Sequence, residues 1–294
     1  MSQKHIRIIG PSSSITRDRI NEATSWLEEK GFLVTVADQV FFQHHQSAGT
    51  IQDKIDALHE AYSDPDVDII LASRGGNEAI HILPHVDWNI IKNNPKKIIG
   101  FSDITVLLNA IYQQTGQITY HGPPAGQIKK GLPDDHLHQF CAIMNGDCPE
   151  MEWSDCNVKN PADITGTLIG GNLSVFQTLT GTPFMPTGDD FILFLEDVGD
   201  EISRYDRMLG HLKLAGLFER CNAILFGDFH SSDNPNRAPF GKTMDQVIDD
   251  ITADLNIPII TNCPFGHGEQ LVTLPIGAKM SLKFNNDEVK IKTV

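Results

Sequence analysis

Hydrophobic positions in the first half of the chain alternate between short β-branched runs and longer stretches with helical spacing. After the first run, Ile20, Ala23 and Leu27 recur as one apolar face of a helix. The predicted strands are residues 6–9, 32–37, 68–72, 97–100 and 118–120. Strand–helix alternation of this kind is typical of an α/β fold, in which helices cover both faces of a parallel sheet.

The pattern changes at residues 146–164, a polar stretch with two prolines and no clear period. We interpret it as a linker between an N-terminal domain, residues 1–145, and a C-terminal domain, residues 165–294. The second domain has its own pattern. Its predicted strands are residues 166–169, 191–195, 223–226 and 257–260 with a terminal pair near 280–292, and its predicted helices lie near 172–180, 201–215 and 241–254.

The net charge argues against several classes of partner. The 294 residues include 23 basic and 38 acidic side chains, which gives a formal net charge of −15. Because nucleic-acid affinity comes largely from Lys and Arg that neutralise phosphates, we expect no nucleic-acid partner. We also expect no membrane partner, since the chain lacks a polybasic patch and any apolar stretch near the roughly 18 residues of a membrane span.

Cysteine usage and the N-terminal sequence indicate a reducing compartment. The five cysteines are scattered and form no C-x-x-C pair, so neither a zinc ribbon nor a thioredoxin motif is expected. The first apolar run is shorter than the roughly 7 residues of a signal-peptide core. The adjacent His44 and His45 lack the spacing of helical metal ligands. We therefore expect a cytoplasmic protein that uses no metal and no cofactor.

A serine at the junction of a predicted strand and helix is the sharpest candidate for chemistry. Gly100 precedes Ser102 by two residues in Ile-Gly-Phe-Ser-Asp, which resembles the strand-to-helix turn of a nucleophile elbow. The G-x-S-x-G pattern is incomplete, because residue 104 is Ile. At a helix N-terminus the macrodipole is positive and the N–H of Asp103 can donate. A simple helix cap is the alternative interpretation of Ser102.

Three further segments could complete such a site. Gly75 and Gly76 let the main chain approach a ligand and present N–H groups to an oxyanion. Glu196, with its acidic neighbour, follows an apolar strand, where a carboxylate can orient a histidine. His267 lies between two glycines, and histidine is suited to general-base chemistry near neutral pH. An ordinary turn, a solvated acid and a surface histidine are the simpler interpretations, and His121 is a weaker candidate for the base.

Several sequence blocks, taken in order, resemble the LD-carboxypeptidase family, which also contains the microcin C self-immunity peptidases. The resemblance extends from about Ile6 to Gly277. The blocks are Ser-Arg-Gly-Gly (73–76), Ile-Gly-Phe-Ser-Asp-Ile-Thr (99–105), His-Gly-Pro (121–123), Leu-Ile-Gly-Gly-Asn-Leu (168–173), Leu-Glu-Asp-Val-Gly (195–199), Asp-Arg-Met-Leu (206–209) and Gly-His-Gly (266–268).

This resemblance implies a serine peptidase with a Ser102–Glu196–His267 triad. His267 would take the Ser102 proton, and Glu196 would fix the imidazole tautomer. The family also implies a Rossmann-like parallel-sheet N-terminal domain that carries the nucleophile. A smaller, β-rich α+β C-terminal domain would carry the glutamate and the histidine, and the protein would form a homodimer.

The resemblance also implies an oxyanion hole built from the backbone N–H groups of Gly75, Gly76 and Asp103. Arg74 is a candidate anion-binding side chain because of its charge. Asn172 is a candidate substrate contact, for which a helix N-cap is the simpler account.

Three functions are compatible with these residues. The first is hydrolysis of an L-D peptide bond in a murein tetrapeptide, which releases a terminal D-amino acid for peptidoglycan recycling. The second is cleavage of an aminoacyl-nucleotide antibiotic of the microcin C type, which needs an aromatic surface to stack on the adenine. Trp153 is the candidate for that surface, although packing in the core or at an interface is the simpler account of its side chain. Residues 77–78, Asn-Glu where family members usually have Tyr-Gly, keep this option open. The third is a non-catalytic binding protein on the same scaffold, against which the intact triad argues.

Overall fold

The structure is a computed structural model that describes residues 3–128, 132–231, 238–285 and 288–294. The chain folds into two compact units. The first unit comprises Met1–Asp147, Phe184–Pro186 and Val272–Gly277. The second unit comprises Cys148–Pro183, Thr187–Leu271 and Ala278–Val294.

The first unit is built on a sheet that is parallel apart from one edge strand. Its strands are β1 (His5–Ile9), β2 (Leu33–Val36), β3 (Ile69–Ala72), β4 (Lys97–Gly100), β5 (Thr119–His121) and β12 (Leu274–Ile276). Their order is β12-β5-β4-β3-β1-β2, with β12 antiparallel. The helices are α1 (Arg17–Glu29), α2 (Ile51–Ser63), α3 (Trp88–Asn93), α4 (Thr105–Thr115) and α5 (Asp134–Asn145). The predicted α/β fold class is confirmed.

The middle of this sheet lies in the core. Every residue of β3 is buried, as are the last three residues of β4. Helix α4 is buried continuously from Thr105 to Ile111. The continuous apolar runs of β3 and β4 are typical of strands covered on both faces. The carboxyl ends of β3 and β4 lead from this core into the loops of residues 73–78 and 101–104.

The second unit is built on a mixed sheet with the order β6-β14-β13-β8-β9-β10-β11-β7. Its strands are β6 (Met151–Trp153), β7 (Asn157–Lys159), β8 (Ile164–Asn172), β9 (Phe191–Asp200), β10 (Cys221–Ser231), β11 (Ile259–Thr261), β13 (Lys279–Asn285) and β14 (Glu288–Thr293). Its helices are α6 (Leu173–Phe176), α7 (Ile202–Leu214) and α8 (Met244–Ile251). Within the described ranges, no helix of either unit combines the length and hydropathy needed to cross a membrane.

Three segments differ from the sequence-based expectation, and one of them is Phe184–Pro186, which lies within the predicted C-terminal domain but belongs to the first unit. Residues 146–164, interpreted as a linker, contain β6 and β7, which form the two ends of the second sheet. Three-residue strands are too short to show a period, so the pattern could not reveal them. Val272–Gly277 lies within the predicted C-terminal domain but belongs to the first unit, because β12 pairs with β5.

Candidate active site

Ser102 occupies a sharp turn between β4 and α4. Phe101 is extended, whereas Ser102 has φ +61°, in the left-handed region. A non-glycine residue there costs about 1–2 kcal/mol, and such strain is concentrated at functional sites. A methyl group on Gly100 would lie 2.5 Å from Cγ2 of Ile104, so the turn folds tightly over Gly100. The structure thus forms a tight, strained strand-to-helix turn at Ser102 although the G-x-S-x-G pattern is incomplete.

The main chain of Gly75 lies directly against the Ser102 side chain. A methyl group on Gly75 would be 2.7 Å from Ser102 Cβ and 3.0 Å from Ser102 Oγ. Gly76 has φ +138°, and a methyl group there would be 1.9 Å from Ser13 Oγ. Both positions therefore exclude a side chain, and the paired glycines allow a close approach of backbone to the candidate nucleophile.

We predict that Gly75→Ala lowers kcat by about 10²–10³-fold, the loss seen when an oxyanion donor is removed elsewhere. The added methyl group must displace either the loop or the Ser102 side chain. Steady-state kinetics on a cleaved peptide would measure the loss. Gly210→Ala is a matched control, because nothing lies within 4 Å of a methyl group at that position. Equal kcat values for the two variants would contradict the prediction.

The Asp103 side chain has a structural role that the sequence did not reveal. It is 6% exposed, and its Oδ2 accepts hydrogen bonds from Ser12 Oγ at 2.5 Å and from the Ala79 N–H at 2.9 Å. Burial raises the pKa of the Asp103 carboxyl group, while these two hydrogen bonds act in the opposite direction. The Asp103 side chain thus links its own turn to the loops that contain Ser12 and Ala79. The predicted oxyanion donor is a different group of the same residue, its backbone N–H.

Arg74 is exposed beside these glycines. Its Nη1 donates to the Ser14 carbonyl at 3.3 Å. The guanidinium therefore rests on the loop that follows β1 and retains much of its contact with solvent.

In the second unit, Glu196 and His267 form a hydrogen-bonded pair. His267 Nδ1 lies 2.7 Å from Glu196 Oε2. The Glu196 side chain is fully buried in β9, while the His267 side chain is 16% exposed. Burial raises the pKa of Glu196, and the hydrogen bond from His267 opposes this shift. A buried carboxylate on Nδ1 holds the imidazole in one tautomer, with Nε2 as the basic nitrogen.

A β-bulge explains how His267 reaches Glu196. In the pairing of β9 with β10, Phe226 faces Leu195 and Phe229 faces Asp197, so two residues of β10 share the level of Glu196. Bulges free backbone groups and re-aim side chains near active sites. Just before the bulge, the Phe226 carbonyl accepts from the Cys263 N–H at 3.0 Å and holds the start of the histidine loop.

The bulge residue Asp228 also contacts the histidine loop. The Asp228 N–H donates to the Phe265 carbonyl at 2.9 Å. A methyl group on Gly227 would lie 2.1 Å from the same carbonyl oxygen, so the loop can approach only a glycine. The Gly-Asp pair inside an apolar strand was the available sequence signal for this bulge.

Asn172 is buried and caps α6. Its Oδ1 accepts from the Val175 N–H at 3.3 Å, and its Nδ2 donates to Asp197 Oδ1 at 3.2 Å. The Asp197 carboxylate also accepts the Ser174 N–H at 2.6 Å. The two adjacent carboxylates therefore differ in role: Glu196 contacts the histidine, and Asp197 is bound by the start of α6.

The other singled-out side chains lie in ordinary packing environments. The His121 ring is buried with its centroid 5.0 Å from that of Phe101, and the rings of His44 and His45 contact each other. Trp153 is 5% exposed and packs against Phe265 in the core. Its ring therefore has little surface on which a nucleobase could stack.

Each unit thus carries one part of the predicted chemistry. The first unit brings together Ser102, Gly75, Gly76 and Asp103, with Arg74 nearby. The second unit brings together Glu196 and His267, with Asn172 on the neighbouring strand.

Known proteins are similar to this chain along nearly its whole length. Models of the LD-carboxypeptidase N-terminal and C-terminal domains match residues 6–122 and 165–282. A probable murein peptide carboxypeptidase of Bacillus subtilis is 32% identical, over 94% of this chain and 88% of that protein. The microcin C7 self-immunity protein MccF of Escherichia coli is 28% identical, over 96% of this chain and 90% of that one.

A solved structure is similar as well. The muramoyltetrapeptide carboxypeptidase from Oxalobacter formigenes aligns with a TM-score of 0.88 at 27% identity, covering 99% of this chain and 98% of that one. The matches include both units and the sequence blocks of the candidate site. The chain therefore belongs to the LD-carboxypeptidase family of peptidases.

Proposed function

We propose that this protein is a serine carboxypeptidase that hydrolyses the L-D peptide bond before the terminal D-amino acid of a murein tetrapeptide. The observation that carries the proposal is the 2.7 Å hydrogen bond between His267 and the buried Glu196. A histidine oriented in this way is the activating partner that a serine nucleophile requires. The strained turn at Ser102 supplies a candidate for that serine.

In the proposed reaction, Ser102 Oγ attacks the carbonyl carbon while His267 Nε2 accepts its proton. Glu196 stabilises the resulting imidazolium. The carbon–nitrogen bond then breaks, and His267 returns the proton to the departing amine of the D-amino acid. Water attacks the acyl-enzyme by the reverse sequence of proton transfers. The backbone N–H groups of Gly75, Gly76 and Asp103 are the proposed oxyanion donors.

Two substrate contacts are proposed more narrowly. Arg74 is exposed next to Gly75 and could bind a substrate carboxylate, a group that guanidinium recognises well. Asn172 would contribute indirectly, because its hydrogen bonds fix the start of α6 at residues 173–175 and the side chain of Asp197. We further propose that the protein is a cytoplasmic homodimer, in keeping with its family resemblance and its cysteine usage.

Cleavage of a peptide–nucleotide antibiotic is the second candidate function. It is favoured by the similarity to the microcin C7 self-immunity protein. The burial of Trp153 counts against it, because that side chain was the proposed stacking surface. We therefore rank the murein substrate first.

The proposal predicts that the purified protein releases D-alanine and a tripeptide from murein tetrapeptide at some pH between about 5 and 9, the range in which general-base catalysis by a histidine operates. Chiral amino-acid analysis would measure the release. An aminoacyl sulfamoyl adenosine offered in competition separates the two candidate substrates. Absence of D-alanine over this whole range would refute the murein assignment, and cleavage of the nucleoside alone would establish the second function.

A further inference from the structure

Lys54 is a buried lysine of α2. It pairs with a residue of the glycine loop, the loop of residues 73–78 that contains Gly75 and Gly76. The Lys54 side chain is 1% exposed, although lysine is almost never fully buried unless it is paired. Its Nζ lies 3.6 Å from Glu78 Oε2. The Glu78 side chain is itself 41% exposed, so only the lysine is buried. Because a buried ammonium without a partner is costly, this contact favours a position of residue 78 that keeps its carboxylate near α2.

Glu78 holds an unusual backbone conformation at the end of the same loop. Its φ is +80°, in the left-handed region that disfavours a side chain of this kind. Strain of this type persists only where the surroundings determine the conformation. A hydrogen bond from the Ser47 side chain and the charge of Lys54 lower the pKa of Glu78, so its carboxylate is ionised and available to hold the loop.

The residues on either side of Glu78 are held as well. The Ala79 N–H donates to Asp103 Oδ2 at 2.9 Å, and the Ser12 hydroxyl, which shares its one proton between Asp103 Oδ2 and the loop, lies 3.0 Å from the Asn77 carbonyl oxygen. The loop that begins at Gly75, against Ser102, is therefore bound at three consecutive residues at its other end. Asp103 follows Ser102 directly, so both ends of this loop are tied to the turn that carries the candidate nucleophile.

We propose that Lys54 and Glu78 are positioning residues that fix the main chain of Gly75 and Gly76 beside Ser102. This inference rests on the proposed function, since the loop matters for rate only if it binds an oxyanion. Oxyanion donors act at 2.7–3.1 Å from the developing charge, so a small displacement weakens them in the transition state more than in the bound substrate. Loss of the ion pair should consequently lower kcat and leave KM nearly unchanged.

The test uses two variants that each remove one charge. Glu78→Gln retains the length and a hydrogen-bonding group, and Lys54→Met retains the length and apolar character of the stem. We expect each to lower kcat for D-alanine release about tenfold with KM within about twofold, the pattern of a lost transition-state interaction. Asp68→Asn is the matched control, because it breaks the Lys4–Asp68 pair of the same unit at the amino-terminal ends of β1 and β3. Its kcat should equal that of the wild type.

The double variant Lys54→Met/Glu78→Gln separates positioning from stability. Removing both charges eliminates the unpaired buried ion, so the thermal midpoint should recover toward that of the wild type. The expected kcat stays low, because the loop is still untied. Recovery of kcat together with the thermal midpoint would show a merely structural role and overturn the inference.

Hydrogen exchange provides a readout that does not depend on turnover. Amides of residues 73–80 should exchange faster in Glu78→Gln than in the wild type or in Asp68→Asn. If the wild type releases no D-alanine, the proposed function fails, and exchange alone decides whether the ion pair holds the loop. Wild-type exchange in Glu78→Gln overturns the inference whether or not the protein cleaves the peptide.

Discussion

Replacing Ser102 by alanine is expected to lower kcat by about 10⁶-fold, by analogy with loss of the nucleophile in another serine peptidase. The reason is that the acyl-enzyme cannot form without the hydroxyl group. His267→Ala should cause a loss of the same order, since members of a triad act as a unit. D-alanine release in single-turnover and steady-state assays would measure both variants.

Matched controls come from exposed positions of the same residue types. Ser25 lies on the exposed side of α1 and His138 on the exposed side of α5. Ser25→Ala and His138→Ala should retain the activity of the wild type. Turnover by Ser102→Ala within tenfold of these controls would exclude it as the nucleophile, and labelling of the variant by a serine-reactive phosphonate would point to a different serine.

Replacing Glu196 by glutamine is expected to lower kcat by about 10⁴-fold, the scale of the equivalent change in other triads. The amide nitrogen can donate to His267 Nδ1, which stabilises the tautomer that carries its proton on Nε2. That tautomer cannot accept the serine proton, and the imidazolium also loses its carboxylate partner. Because the Glu196 side chain is fully buried, bulk solvent does not reach it to replace the missing acceptor.

Glu219→Gln is the matched control for this variant, because Glu219 is an exposed glutamate of the same unit. Its kinetics should match those of the wild type. NMR of the His267 ring nitrogens would report the tautomer directly. A Glu196→Gln variant that keeps Nδ1 protonated and retains full kcat would show that Glu196 does not orient the base.

The residue types and their order along the chain predicted the candidate site residues much better than the contacts that hold those residues in place. Ser102 could be found because it follows an apolar strand, two residues after Gly100 and just before a predicted helix. The Glu196–His267 contact joins residues 71 positions apart, so spacing alone could not place them together. The resemblance to a family supplied that pairing. The bulge at residues 227–228, which contacts the loop that carries His267, depends on the register between β9 and β10. That register cannot be predicted from a single sequence.

The ion pair between Lys54 and Glu78 shows a similar limit. Lys54 occupies a helix whose apolar face is marked by Ile55 and Leu58, and nothing in its neighbours distinguishes it from a solvated lysine. Its partner Glu78 is 24 residues away and would not be expected in a left-handed conformation. In the fold, short edge strands escaped prediction for a related reason: β6, β7 and β12 each have three residues and depend on pairing rather than on local preference.

The place of β12 in the chain has a consequence for synthesis on the ribosome. N-terminal domains generally fold while the rest of the chain is still being translated. Here β5 is the edge of the first sheet until Leu274–Ile276 pairs with it, and most of the second unit precedes that segment. The nascent first unit therefore presents an unpaired strand edge, the kind of surface that invites association with other chains. Its sheet is completed only after most of the second unit has been synthesised.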